Sequence, residues 1–290
     1  MSGRVTRWSA TAALIMSALA LSACKGPGGY GGSEPEPTTS LNIKPQQPVQ
    51  TSGVSPGDPF LGSPAHKFAN GADGIELPQA KAVSGFGAAQ VRSDLKTVKW
   101  ALTKANLDAK VWRGARPQGL INLFDPRDGY QARIQRSFGH PSATNNPLNF
   151  ATRFDPRRAV VHGQIVKVHG KMSVKGIERG RLRIHTDYLF VYAVRQVGVA
   201  TKIERVVVRR ITDYEFYDPA RFQVTPGTFV LNRASFSSAN ADCDQDGGYI
   251  KPSFDNAAAT ETGEPSGAPV DPYDQANEDT REDCSPVTRT

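Results

Sequence analysis

Residues 180–197 read GRLRIHTDYLFVYAVRQV. Leu182, Ile184, Thr186, Tyr188, Phe190, Tyr192 and Val194 occupy every second position, so in extended chain they share one face. The opposite face begins as Arg181, Arg183, His185 and Asp187. Alternation sustained over this length specifies a strand with one side against a core. The same period of two runs through AVVHGQIVKVHGKMSV (159–174), IERVVVRRITDYEFY (203–217) and TFVLNRASFSS (228–238). Turn-like breaks at Gly176–Gly180, Gly198–Thr201 and Asp218–Gly227 separate these runs, which predicts four long strands linked as antiparallel hairpins.

Upstream the period changes. In GAAQVRSDLKTVKWALTKAN (87–106), Val91, Leu95, Val98, Leu102 and Ala105 form one apolar stripe at helical spacing, and Lys96, Lys99 and Lys104 fall outside it. Shorter helical pieces are expected around Val111 and Leu120–Phe124, before a loop rich in Gly, Pro and Asn that runs through Asn149. A long helix followed by a meander is an α+β plan, with the helix packed on a curved four-stranded antiparallel sheet. This order of elements over 87–240 resembles the NTF2/cystatin-like superfamily, which implies a bent sheet wrapped around helices and a cone-shaped pocket.

The N-terminus predicts a compartment. Arg4 and Arg7 precede the apolar run Ala10–Leu21, which is too short to cross a bilayer and has the form of an export signal. It ends in Leu21-Ser22-Ala23-Cys24, which resembles the bacterial lipobox. That resemblance implies that residues 1–23 are a lipoprotein signal peptide, that Cys24 is lipidated and begins the mature chain, and that the protein sits on the extracytoplasmic face of the cell membrane. The alternative is an ordinary signal peptide that ends near a cysteine. With DYLFVYAV, DPARFQVTPG and two Asp-Cys pairs, the whole chain also resembles the small lipoproteins of high-GC Gram-positive bacteria, which implies a location and no particular activity.

Composition divides the mature chain. Residues 25–80 hold 9 prolines and 10 glycines, a level that predicts a disordered tether over 24–80. GPGGYG at 26–31 has the letters of a dinucleotide fingerprint without the flanking strand and helix that would give it meaning. Residues 81–222 carry 26 Lys and Arg against 11 Asp and Glu, whereas residues 233–290 carry 4 against 12. A basic domain over 81–240 is therefore expected before an acidic tail over 241–290. Outside a membrane the polyanions available to a basic surface are lipid headgroups and wall polymers rather than nucleic acid. The alternative partner for that surface is the chain's own tail.

With Cys24 lipidated, Cys243 and Cys284 remain and are expected to form a disulfide pinning the tail. A free or intermolecularly bonded Cys284 is the other possibility. In DCDQDGG (242–248), Asp242, Asp244, Asp246 and Gly247 match the first half of an EF-hand calcium loop. Ser253 stands where the bidentate carboxylate belongs, so the competing reading is an acidic turn facing the basic domain.

Catalytic patterns are sparse. No HExxH, CxxC or GxSxG occurs. His162 and His169 differ by an odd number and share a face only if a bulge intervenes. His185, Asp187, Tyr188 and Tyr192 supply the residue types of an NTF2-like isomerase or lyase site, but alternation sets the first two opposite the last two. The tyrosines are expected in the core with hydroxyls at its rim, and His185 and Asp187 in water. The resulting expectation is a lipid-anchored, non-enzymatic binder of a small apolar ligand or an envelope partner, with a pocket enzyme and a module attracted to anionic wall polymer as alternatives.

Overall fold

The computed structural model describes residues 54–254 and 270–276. The expected signal peptide, Cys24, the first part of the tether, the GPGGYG stretch and Cys284 lie outside the described residues. In chain order the elements are β1 (Ala69–Asn70), α1 (Ala88–Asn106), α2 (Ala109–Trp112), α3 (Gln118–Ile121), α4 (Tyr130–Gly139), β2 (Ala159–Glu178), β3 (Arg181–Gln196), β4 (Ile203–Tyr217) and β5 (Val230–Ala239). The strands make one antiparallel sheet in the order β1-β2-β3-β4-β5. The α+β class stands, and the sheet has five strands where four were expected. The additional one, Ala69–Asn70, pairs with Val168 and Lys167 of β2.

α1 forms where the apolar stripe predicted it. Val91, Leu95, Val98, Leu102 and Ala105 are all buried, together with Ala101, and lie in one core with Tyr188, Phe190 and Tyr192 of β3 and Val206 and Val208 of β4. The even-numbered positions of β3 therefore meet the helix, as their alternation requires. No helix among the described residues is long and apolar enough to cross a membrane.

The other face of the sheet departs from expectation. Leu189, Val191 and Ala193 of β3 and Ile203 and Val207 of β4 form a second apolar cluster there. Phe60 and Ala65 complete it, with Val54, Phe68 and Tyr273 packed at its margin. Residues 54–80, assigned to the tether on their Pro and Gly content, are thus part of the fold. The physical reason lies in β3 itself, where Tyr188 to Val194 is apolar on both sides and must be covered on both. Arg205 fastens this cover, donating from Nη1 to the carbonyls of Pro59 and Leu61 at 3.0 and 3.2 Å. Residues 270–276 of the expected tail reach the same face.

β2 is interrupted. Its register with β3 shifts between Val161 and Val166, so a bulge separates His162 from His169. Both histidines thereby reach the segment 54–68, His162 Nε2 lying 3.0 Å from the Pro56 carbonyl and His169 stacked on Phe68 with ring centroids 4.7 Å apart. They meet different residues of that segment rather than each other.

Phe60 separates a folded cover from a tether. Phe60→Ala is expected to lower unfolding stability by about 3 kcal/mol in chemical denaturation. An unchanged midpoint would return this stretch to the linker.

Candidate functional site

The polar centre of the molecule is built on Asn106, the last residue of α1, and Arg210 of β4, both buried. Arg210 shares the helix-facing side of β4 with Val206, Val208, Thr212, Tyr214 and Phe216, so its guanidinium enters the core. There Nε donates to Asn106 Oδ1 at 2.5 Å, Nη1 to the Leu148 carbonyl at 2.7 Å and Nη2 to Thr152 Oγ1 at 3.2 Å. Thr152 Oγ1 itself donates to Asn106 Oδ1 at 2.9 Å. The Asn106 carbonyl, left without an intrahelical donor, accepts from Tyr192 Oη at 2.7 Å and Trp112 Nε1 at 2.8 Å. A cation at this point also meets the negative end of the helix dipole.

No carboxylate pairs with Arg210 among the described residues. Burial pushes its guanidinium down to about 10, which still leaves it charged at neutral pH, and burial likewise pushes the Tyr192 and Tyr214 hydroxyls up. A cleft bordered by Asn106, Phe124, Asn149, Arg210 and Tyr214 has room for about one water molecule. A protonated guanidinium held by neutral acceptors can orient and staple, but it offers no proton donor or acceptor near neutral pH.

The opposite side of the sheet carries an ion ladder at its far half. Glu215 accepts from Arg183 Nη2 at 2.6 Å, from Arg181 Nη2 at 3.0 Å and from Tyr217 Oη at 2.9 Å. Burial draws the Glu215 carboxyl upward, but these hydrogen bonds outweigh it and hold the group below its ordinary range. His185 Nδ1 lies 2.7 Å from Asp213 Oδ1. Asp187 takes a two-pronged contact from Arg209, at 2.9 and 2.8 Å, and accepts from Gln275 Nε2 at 3.0 Å.

These positions decide the enzyme-like set. Tyr188 and Tyr192 are core residues, as expected, although the Tyr192 hydroxyl is enclosed rather than at a rim. His185 and Asp187 lie on the other face of β3, and the four do not converge. Asp187 corrects the expectation of a solvated carboxylate, being only 1% exposed, because Arg209 pairs with it and the segment around Gln275 covers it.

In DCDQDGG, Asp242 Oδ2 accepts from Arg158 Nη1 at 2.5 Å and Asp244 Oδ2 from Lys251 Nζ at 3.1 Å, while Asp246 is exposed. The Lys251 contact holds the Asp244 carboxyl below its usual range. A calcium ion here would have to draw both aspartates away from their cations. Among the described residues, no group of three His, Cys, Asp or Glu side chains is placed to hold a metal ion. Cys243 is disulfide-bonded, and its expected partner Cys284 lies outside the described residues.

Neither Asn106 nor Arg210 stands out by residue type. The signal lay in parity, since Arg210 interrupts an apolar face at an even position of β4, and in Asn106 at the end of a stripe otherwise capped by Leu107. Compared with family models, curated proteins and solved structures, the chain matches none.

Two buried groups give measurable outcomes. Arg210→Met strips donors from Asn106 and Leu148 and is expected to cost about 3 kcal/mol in chemical denaturation; a neutral result would remove the knot's structural role. Asp94, buried in α1 with Gln90 Nε2 donating to Oδ1 at 2.7 Å, has its carboxyl pushed by burial up to about 6. The folded state therefore holds this proton more tightly than the unfolded one, and stability falls as pH rises from about 4 to about 6. Asp94→Asn should remove that part of the pH dependence and gain about 2 kcal/mol at pH 8; an undiminished slope would show another group responsible.

Proposed function

We propose that the chain is a lipid-anchored, extracytoplasmic, non-enzymatic protein that engages an anionic envelope partner through the outer face of α1. The observation that carries this reading is a cationic stripe around an exposed aromatic ring. Arg92, Lys96, Lys99 and Lys104 lie on one side of α1 with Trp100, which is 51% exposed and has Lys104 Nζ 4.3 Å from its ring centroid. No carboxylate pairs with these four cations among the described residues. The described tail segment 270–276 meets the sheet face opposite α1, so it does not occupy this stripe.

The anchor follows from the lipobox-like Leu21–Cys24, and the finer fold reading, an NTF2-like sheet around α1, from the order of helix and meander. A small apolar ligand would need the Tyr188, Phe190 and Tyr192 side chains to move, since they fill the space against α1. That weighs toward a surface partner.

Anionic wall polymer is the probe. Retention of the protein on purified wall should fall steeply between low and physiological salt, and Lys96→Glu/Lys99→Glu should weaken it by about tenfold or more. Salt-independent retention, or retention indifferent to the double variant, would overturn the reading. In cells, Cys24→Ser should abolish lipid attachment at residue 24, and mass spectrometry of the native N-terminus checks that half of the proposal by itself.

A further inference from the structure

Six large apolar side chains are exposed among the described residues: Leu61, Leu77, Trp100, Ile165, Val197 and Val199. Four of them belong to one end of the sheet. Val197 and Val199, 43% and 40% exposed, form the turn between β3 and β4. Ile165, 49% exposed, sits in the β2 bulge, flanked by the pairs Val161–Val194 and Val166–Tyr192 near the end of β3. Leu61, 60% exposed, is placed by its carbonyl on Arg205, whose strand neighbour is Ala193.

The composition of this tip is unusual for a hairpin. Turns favour Gly, Asn, Asp, Ser and Pro, whereas here Val197, Val199 and Ala200 surround the single Gly198, whose φ of 82° makes the bend. The turn is closed by its own backbone, with Gln196 N–H donating to the Lys202 carbonyl at 3.0 Å and Val199 N–H to the Gln196 carbonyl at 3.2 Å. The turn's own backbone bonds thus fix the two valines in this part-exposed position.

Cations border the tip. Arg195 precedes it on β3 and pairs with no carboxylate among the described residues. Arg157 projects with 85% of its side chain exposed while held by Asp155, and the Val197 N–H donates to the adjacent Arg158 carbonyl. Of the nearby acids, Asp155 is bound to Arg157 and Asp242 to Arg158, and Glu204 is turned into the tail segment 253–254, where burial raises its carboxyl to about 7. Apolar side chains beside the unpaired Arg195 and the outward Arg157 suit the headgroup layer of an anionic bilayer.

The path of the chain names the same occupant. The described residues begin at Val54, and Pro56 meets His162 in the β2 bulge, so the first described residues lie at this end of the sheet. Thirty positions separate Cys24 from Val54. We propose that the β3–β4 turn, with Ile165 and Leu61 beside it, is a membrane-docking tip that inserts Val197 and Val199 among the headgroups of an anionic bilayer. The inference rests on the lipid-anchor reading for its orientation, while its surface chemistry can be tested without the lipid.

The test uses the mature chain from position 24 carrying Cys24→Ser, sedimented with vesicles of phosphatidylcholine alone or mixed equally with phosphatidylglycerol. Wild-type protein should co-sediment with the anionic vesicles, and Val197→Asp/Val199→Asp should lower its partition by about tenfold with an unchanged circular dichroism spectrum and melting temperature. Brominated acyl chains should quench the added fluorescence of Val199→Trp. Equal binding by wild type and double aspartate variant would overturn the proposal and move membrane contact to the α1 stripe. Absence of both sedimentation and quenching would also overturn it. Loss of self-association in the variant with vesicle binding unchanged would assign the tip to a second copy. An unmodified Cys24 in the native protein would sink the anchor reading and leave the vesicle result standing, so the two failures are distinguishable.

Discussion

The contact between Arg210 and Asn106 constrains most of the interior. A guanidinium removed from water needs an acceptor for each donor it turns inward, and without a carboxylate it depends on neutral oxygens fixed by backbone geometry. The C-terminus of α1 supplies one, and the loop at Leu148–Thr152 supplies the others. The helix is consequently held along its axis as well as pressed against the sheet, since sliding it by one residue would remove Asn106 from both Arg210 and Tyr192. Apolar packing alone would tolerate such a slide, because the stripe from Val91 to Ala105 offers similar surface at each turn. Polar pairing therefore sets the register that hydrophobic burial leaves loose.

β3 organises the other layer through a change of character along its length. Its outer face is ionic from Arg181 to Asp187 and apolar from Leu189 to Ala193. The ionic half is satisfied within the sheet by Glu215, Asp213 and Arg209 on β4. The apolar half has no such neighbour and is covered by Phe60 and Ala65 from the N-terminal side. One strand thus dictates both where the sheet supports itself and where it needs a lid.

Much of this was legible in the sequence. The period of two located all four long strands, and the helical stripe located α1 to within a residue, because each pattern reports directly on burial of one face. The short strand at Ala69–Asn70 was not legible, since two residues carry no periodicity. Residues 54–80 were misread because Pro and Gly content reports on local propensity, while Phe60 and Ala65 are ordered by a surface contributed by β3 and β4. Asp187 was placed in water by alternation alone, which cannot register that a distant tail segment and Arg209 enclose it. The interior knot escaped for a related reason. Arginine and asparagine are ordinary surface residues, and only the parity of Arg210 within β4 marked it as inward.

Both flanks of the described chain end on the same face of the sheet. Phe68 and Tyr273 meet edge to face with ring centroids 5.9 Å apart, and Gln275 reaches Asp187. Phe68 and Tyr273 are more than two hundred positions apart in the chain, and Gln275 follows Asp187 by 88. Contacts of such sequence separation form late, after the loop between them has been closed at an entropic cost. A chain emerging from its N-terminus would therefore assemble the meander while the outer face of β3 still awaited its last cover. Because residue 275 follows all five strands in the chain, the fold has a timetable, and the face holding Asp187 is shut only after the meander is complete.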